Sequence, residues 1–255
     1  MADEQGYFAW YELMTNDTAA ARQFYGAVVQ WRMQDAPMPG MDYTLLNAGE
    51  VQVGGMMTLP QSACDAGATP CWVGYIAVPD VDAAAARVLA LGGAVHAAPA
   101  DIPGVGRFAT VADPQGAAFN LFRALQPAAP APSAEAGHVG WHELHTSDWE
   151  GAFTFYSALF GWQKGESIPM GTMGTYQLFS IAGAGTGAMF NSPAAGPRCF
   201  WQYYFTTGDI DAAAARVTGA GGAIQNGPQE VPGGGWIVQA ADPQQAQFAL
   251  LGSRS

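Results

Sequence analysis

Residues Trp10 to Tyr25 read WYELMTNDTAAARQFY, and residues Trp141 to Tyr156 read WHELHTSDWEGAFTFY. Eight of the sixteen aligned positions are identical at an offset of 131. Further matches keep the same order at an offset of 129. DVDAAAAR (Asp80 to Arg87) faces DIDAAAAR (Asp209 to Arg216). Gly92-Gly93-Ala94 faces Gly221-Gly222-Ala223, and Asp113-Pro114-Gln115 faces Asp242-Pro243-Gln244. A short alanine tract recurs by chance, but four matches in one order mean a duplicated domain. Gln126 to Gly137, QPAAPAPSAEAG, alternates Ala and Pro without an apolar face and reads as an extended linker. The division is therefore a first domain of 1–125, a linker of 126–137 and a second domain of 138–255.

Each copy is itself double. Phe8 to Thr15 alternates as a strand, and Asp17 is placed to cap a helix over Thr18 to Val29, with Ala21, Phe24, Tyr25 and Val28 on one face. Strands follow at Trp31–Ala36, Tyr43–Ala48 and Val51–Thr58, separated by Gly and Pro turns. The order then restarts. Trp72–Val78 is a strand, Asp80 caps a helix ending near Leu91, and Gly92-Gly93 closes it. Strands at Ala94–Ala98, Arg107–Ala112 and Ala118–Ala124 complete the unit. The pattern is βαβββ, four times per chain. It predicts an α+β fold of two tandem homologous domains, each a curved mixed sheet with helices outside.

Nine basic against 21 acidic residues give a net charge of −12, and no two of the basic residues are adjacent. That excludes the basic stripe a nucleic-acid binder needs and argues against an anionic membrane surface. No window approaches ~18 uninterrupted apolar residues. The acidic start MADEQGYFAW lacks the features of a signal peptide, so the expected compartment is the cytoplasm. Cys64, Cys71 and Cys199 are odd in number and lack CxxC spacing, which disfavours a disulfide framework or a structural zinc site. HELH at His142–His145 has its histidines three apart on a strand, where they face opposite sides, and so does not make a zinc-protease pair. His142 is expected to pack outward, and His96 and His138 to lie at the surface.

The chain resembles the vicinal oxygen chelate superfamily, which includes glyoxalase I, bleomycin- and fosfomycin-resistance proteins and extradiol dioxygenases. The carriers are WYELMTND-xxxA-xxFY and WHELHTSD-xxxA-xxFY, then VPDVDAA and TGDIDAA, then ADPQGAAFNLF and ADPQQAQFALL. The resemblance is to the two-domain bacterial branch loosely labelled glyoxalase, bleomycin resistance or hydroxylase. It implies cups formed by paired βαβββ modules, each with a divalent metal held from three strand positions. In this sequence those positions carry Trp10, Val73 and Asn120 in the first copy, and Trp141, Gln202 and Ala249 in the second. Indole and aliphatic side chains offer no lone pair to such a cation, and neutral amides are weak ligands. No metal and no other cofactor is therefore expected, and metal-dependent lyase, dioxygenase or thiol-transfer chemistry is not supported.

Strand alternation places Glu12 and Met14 beside Trp10, and Glu143 and His145 beside Trp141. It places Tyr75 with Val73, and Tyr204 with Gln202. The first cup would be lined by Trp10, Glu12, Met14, Val73 and Tyr75, with Asn120 on the same side. The second would be lined by Trp141, Glu143, His145, Gln202 and Tyr204. Such aromatic surroundings with few polar groups suit a small apolar or aromatic molecule. Glu12 and Glu143 are candidates for a general base, for a ligand anchor, or for a carboxylate that only stabilises its cup. Trp236, after Gly233-Gly234-Gly235, is a candidate aromatic lid. DPQ at 113–115 and 242–244 is read as a turn without chemistry. The leading expectation is a small-molecule binding protein with metal-free cups, as a monomer or weak homodimer. The alternative is a metal-independent hydroxylase, lyase or isomerase with Glu12 or Glu143 as base.

Overall fold

A computed structural model describes residues 5–38, 41–126, 134–192 and 199–254. The linker segment 127–133 lies outside them. The described strands form two mixed eight-stranded sheets, one in each half of the sequence. The first half runs β1 (Phe8–Thr15), α1 (Thr18–Val28), β2 (Arg32–Met38), β3 (Met41–Ala48), β4 (Val51–Thr58), α2 (Gln61–Asp65), β5 (Cys71–Ala77), α3 (Val81–Ala90), β6 (Ala94–Ile102), β7 (Gly106–Ala112) and β8 (Ala118–Ala124). The second runs β9 (Val139–Thr146), α4 (Trp149–Phe160), β10 (Gln163–Pro169), β11 (Thr175–Ile181), β12 (Ala184–Asn191), β13 (Phe200–Asp209), α5 (Ile210–Gly219), β14 (Ala223–Glu230), β15 (Trp236–Ala241) and β16 (Gln247–Ser253). The α+β class and the four βαβββ modules expected from the sequence are present.

Local chemistry explains the repetition. Asp17, Asp80, Asp148 and Asp209 each sit in an extended conformation, and each carboxylate accepts the backbone N–H three residues on. One of the four orphan donors at each helix start is thereby satisfied, a contribution of about 1 kcal/mol per cap. The buried face of α1 is Ala21, Phe24, Tyr25 and Val28, the set expected from its spacing. In every module the first strand pairs in parallel with the last: β1 with β4, β5 with β8, β9 with β12, and β13 with β16. The intervening turns are antiparallel, as in β2–β3–β4 and β6–β7–β8.

Contacts gather the chain into two compact units that each take one module from either sequence copy. One comprises Met1–Ala9, Val73–Pro130 and His142–Trp201; the other comprises Trp10–Trp72, Ala131–Trp141 and Gln202–Ser255. Each unit is closed by the same three residue types. In the first, the Tyr156 hydroxyl donates to Asp113 Oδ2 at 3.1 Å and accepts from Trp201 Nε1 at 2.9 Å. In the second, the Tyr25 hydroxyl donates to Asp242 Oδ2 at 3.1 Å and accepts from Trp72 Nε1 at 2.9 Å. The DPQ aspartates do more than start a turn. Asp113 Oδ1 accepts the N–H groups of Gln115 and Ala117, and Asp242 Oδ1 those of Gln244 and Ala246. Burial pushes both carboxyls above the usual aspartate range.

Stacked rings fill the first unit, with Trp162 parallel to Phe179 at 4.6 Å and to Tyr156 at 5.1 Å. The second packs Trp31 and Trp72 edge-on against Phe205 at 4.8 and 4.9 Å. Two histidines depart from expectation. His142 is buried, stacked on Phe8 at 4.0 Å, with Nδ1 2.9 Å from the Thr186 carbonyl. His138 is also buried rather than superficial. His138 immediately precedes β9 and His142 lies within it, where the Phe8 ring covers the imidazole. His96 is exposed, as expected.

Candidate functional site

In the second unit, Glu12 is only 6% exposed. Its Oε2 accepts the Tyr43 hydroxyl at 2.9 Å, and the hydroxyl oxygen of Tyr43 in turn accepts Trp10 Nε1–H at 3.0 Å. Burial and the Glu12 carboxylate push the Tyr43 phenol far above its ordinary value, so it remains a donor. Glycine at position 55 makes this contact possible. Gly55 is the register partner of Glu12, and a Cβ there would overlap the Tyr43 hydroxyl. The same carboxylate, after burial itself, pushes the Cys71 thiol up to about 11, which leaves it a poor nucleophile at neutral pH.

In the first unit the equivalent cluster is more polar. Glu143, also 6% exposed, accepts the Tyr176 hydroxyl on Oε1 at 2.7 Å. Its Oε2 lies 2.9 Å from His145 Nε2. His145 Nδ1 lies 2.9 Å from Ser192 Oγ. The imidazole is clamped between rings, parallel to Phe200 at 4.5 Å and edge-on to Phe190 at 4.8 Å. Tyr176 leans on Phe190 at 5.5 Å. An ionised carboxylate only accepts. A neutral His145 facing an ionised Glu143 would therefore carry its proton on Nε2 and turn the Nδ1 lone pair towards Ser192.

Tyr43 and Tyr176 escaped the sequence reading, although the Y-x-L triplets at 43–45 and 176–178 recur at an offset of 133, close to the 131 and 129 of the other matches. Of the other candidates, Trp10 joins Glu12 through Tyr43, and His145 joins Glu143. Tyr75 is buried against Phe122 at 5.6 Å and Phe108 at 6.4 Å. Asn120, its register partner, is buried with no hydrogen-bond partner on Oδ1. Gln202 donates Nε2–H to the Phe248 carbonyl at 3.3 Å, and Tyr204 accepts Gln239 Nε2–H at 2.9 Å. Trp141 is half-buried. Trp236 is half-buried and carries the Arg254 guanidinium 4.4 Å from its ring centroid. HELH is split by strand alternation, His142 towards Phe8 and Thr186, His145 towards Glu143 and Ser192.

The residues at the superfamily's ligand positions do not fit its metal. Trp10 commits its indole N–H to Tyr43, Gln202 commits its amide to Phe248, and Val73 and Ala249 have no donor atom. Among the described residues, no three His, Cys, Asp or Glu side chains are grouped to hold an ion.

The chain belongs to the glyoxalase/bleomycin resistance protein/dioxygenase superfamily, which it matches twice, over residues 7–121 and 136–250. Its relatives include a putative glyoxylase, CFP32, of Mycobacterium tuberculosis, 33% identical over 249 residues that cover 97% of this chain and 95% of the relative. The anthracycline biosynthesis protein DnrV of Streptomyces peucetius is 30% identical over 255 residues, covering 95% and 92%. Among solved structures, homoprotocatechuate 2,3-dioxygenase from B. fuscum shares the fold with a TM-score of 0.70 at 17% identity, covering all of this chain and 73% of the other. The Mn(II)-bound glyoxalase of Novosphingobium aromaticivorans shares it at 0.64 and 16%, covering 99% and 83%. No described helix is long and apolar enough to cross a membrane.

Proposed function

We propose that this protein binds a planar aromatic small molecule and holds its polar oxygens against Glu143, His145 and Tyr176. The observation that carries the reading is the buried Glu143–His145–Tyr176 network set among Phe190 and Phe200. Aromatic rings supply apolar area, and a few fixed polar groups supply orientation. The first copy has Met14 where the second has His145, so its Glu12 cluster suits more apolar molecules. Relatives named for anthracycline biosynthesis support the choice of ligand class, since anthracyclines are planar, oxygen-bearing aromatics. Binding in this reading involves no metal.

A metal-independent lyase, isomerase or hydroxylase is the second reading. It draws support from the Glu143–His145 hydrogen bond, which lets a carboxylate and an imidazole share one proton during acid–base work. Titration with a panel of hydroxyanthraquinones and simple phenols, followed by tryptophan fluorescence, tests the first reading. Saturable quenching by the quinones is expected, weakened about tenfold or more in Glu143→Ala, because an unpaired buried polar group costs about 1–3 kcal/mol. Absence of saturable quenching, or equal affinity in the variant, would overturn it. Conversion of the bound compound would favour the second reading.

A further inference from the structure

The two copies provide an internal control for one residue that the sequence pattern did not single out. The segment GGMMTLP (Gly54 to Pro60) corresponds to GAMFNSP (Gly187 to Pro193), which sets Ser192 where the first copy has Leu59. The backbone supports this alignment. Leu59 N–H donates to the Thr15 carbonyl, and Ser192 N–H donates to the Thr146 carbonyl. Leu59 is buried beside the module that carries Met14. The second copy thus replaces two apolar residues, Met14 and Leu59, by a hydrogen-bonded pair, His145 and Ser192.

That pair completes a three-part arrangement. Ser192 Oγ lies 2.9 Å from His145 Nδ1, and Nε2 of the same ring lies 2.9 Å from Glu143 Oε2. Tyr176 holds the other carboxylate oxygen at 2.7 Å, and Phe200 fixes the ring plane. A nucleophile within reach of a base that a third group orients is the signature of covalent catalysis on unrelated folds. Ser192 is half-buried. The adjoining Asn191 Oδ1 accepts the Trp149 N–H at the start of α4, which fixes the end of β12 against that helix.

We propose that Ser192 is a nucleophile, activated by His145 and positioned through Glu143, that takes an acyl group from an activated aryl ester. In the first step Oγ bonds to the carbonyl carbon and its proton passes to His145 Nδ1. The ester C–O bond breaks, and the aryloxide leaves with that proton. Water then attacks the acyl-serine by the same route, releasing the carboxylic acid and restoring the Ser192 hydroxyl. The step shares Glu143 and His145 with the proposed ligand site and rests on that reading only in requiring those groups to face a bound aromatic.

The test is rapid mixing of the full chain with p-nitrophenyl acetate. A burst of about one equivalent of p-nitrophenolate is expected, with the acetyl group mapped by mass spectrometry to the peptide holding Ser192. Ser192→Leu and His145→Met copy the residues of the first copy. The former should abolish the burst, and the latter should slow it by about a hundredfold or more, the usual weight of a general base. Glu143→Gln should lower the acylation rate measured at saturating ester, a readout that a change in ester affinity does not move. Quinone quenching is measured on the same Ser192→Leu protein. Normal quenching by Ser192→Leu shows that the variant is folded; in the wild type, a missing burst with normal quenching overturns the nucleophile alone, and loss of both overturns both readings. A burst that survives Ser192→Leu, or acetylation elsewhere, also overturns the proposal.

Discussion

His142 makes the fold of the first unit sensitive to acid in a defined window. The ring is buried, stacked on Phe8 and bonded to the Thr186 carbonyl, and burial holds its proton affinity down at a pKa of about 4 against an ordinary 6.5. Above 6.5 the ring is neutral in both folded and unfolded chains, and its packing contributes in full. As pH falls below 6.5 the unfolded chain takes up a proton that the folded one refuses, so stability declines until about pH 4, where the folded ring also protonates. The interval from 6.5 to about 4, at ~1.4 kcal/mol per tenfold, amounts to about 3 kcal/mol. His142→Phe keeps the ring against Phe8 and removes the titration, at the loss of one hydrogen bond of about 1 kcal/mol. Urea unfolding of both proteins from pH 7.5 to 4 is the assay, and the difference between them cancels the other carboxylates. The wild type should be the more stable by about 1 kcal/mol at pH 7.5 and the less stable by about 2 kcal/mol near pH 4. A difference that stays constant across that range would refute the reasoning.

Tyr156→Phe removes the acceptor for Trp201 and the donor to Asp113 in one buried place, so a loss of about 2–4 kcal/mol is expected by urea titration. Gly55→Ala should push Tyr43 off Glu12, and the difference absorbance of a tyrosine no longer bonded to a carboxylate would report it; an unchanged spectrum would contradict the steric account. Elemental analysis of the purified protein should find less than stoichiometric Fe, Zn, Mn or Ni, and one tightly bound equivalent would contradict the donor-set argument.

The strand and helix order was legible because each module carries its own markers: an Asp at the cap, an apolar face at helical spacing and, in three of the four, Gly where the helix must end (Gly92, Gly161 and Gly221), with Gln30 taking that left-handed place after α1. The duplication let one copy check the other. Alternation counted from Trp10 and Trp141, the positions that the resemblance marks, pointed Glu12 and Glu143 inward, and both are buried. What escaped were partners far apart in sequence. Asp113 and Tyr156, or Asp242 and Tyr25, look like an ordinary turn and an ordinary helix face until folding brings them together. The compact units, each mixing modules of the two copies, were invisible for the same reason. His138 looked superficial because a single polar residue just before a strand carries no sign of what covers it. Ser192 was recoverable in principle, since Met14 and Leu59 change together to His145 and Ser192, but the spacing of 133 between those segments differs from the two offsets that reveal the repeat.

The central claim is that the polar cluster of the second copy, rather than its apolar counterpart, anchors the ligand. Calorimetric titration of one hydroxyanthraquinone into wild type, Glu143→Ala and Glu12→Ala measures it directly. The account expects Glu143→Ala to weaken binding about tenfold or more, with Glu12→Ala within about twofold of wild type. Weakening by Glu12→Ala alone would contradict it.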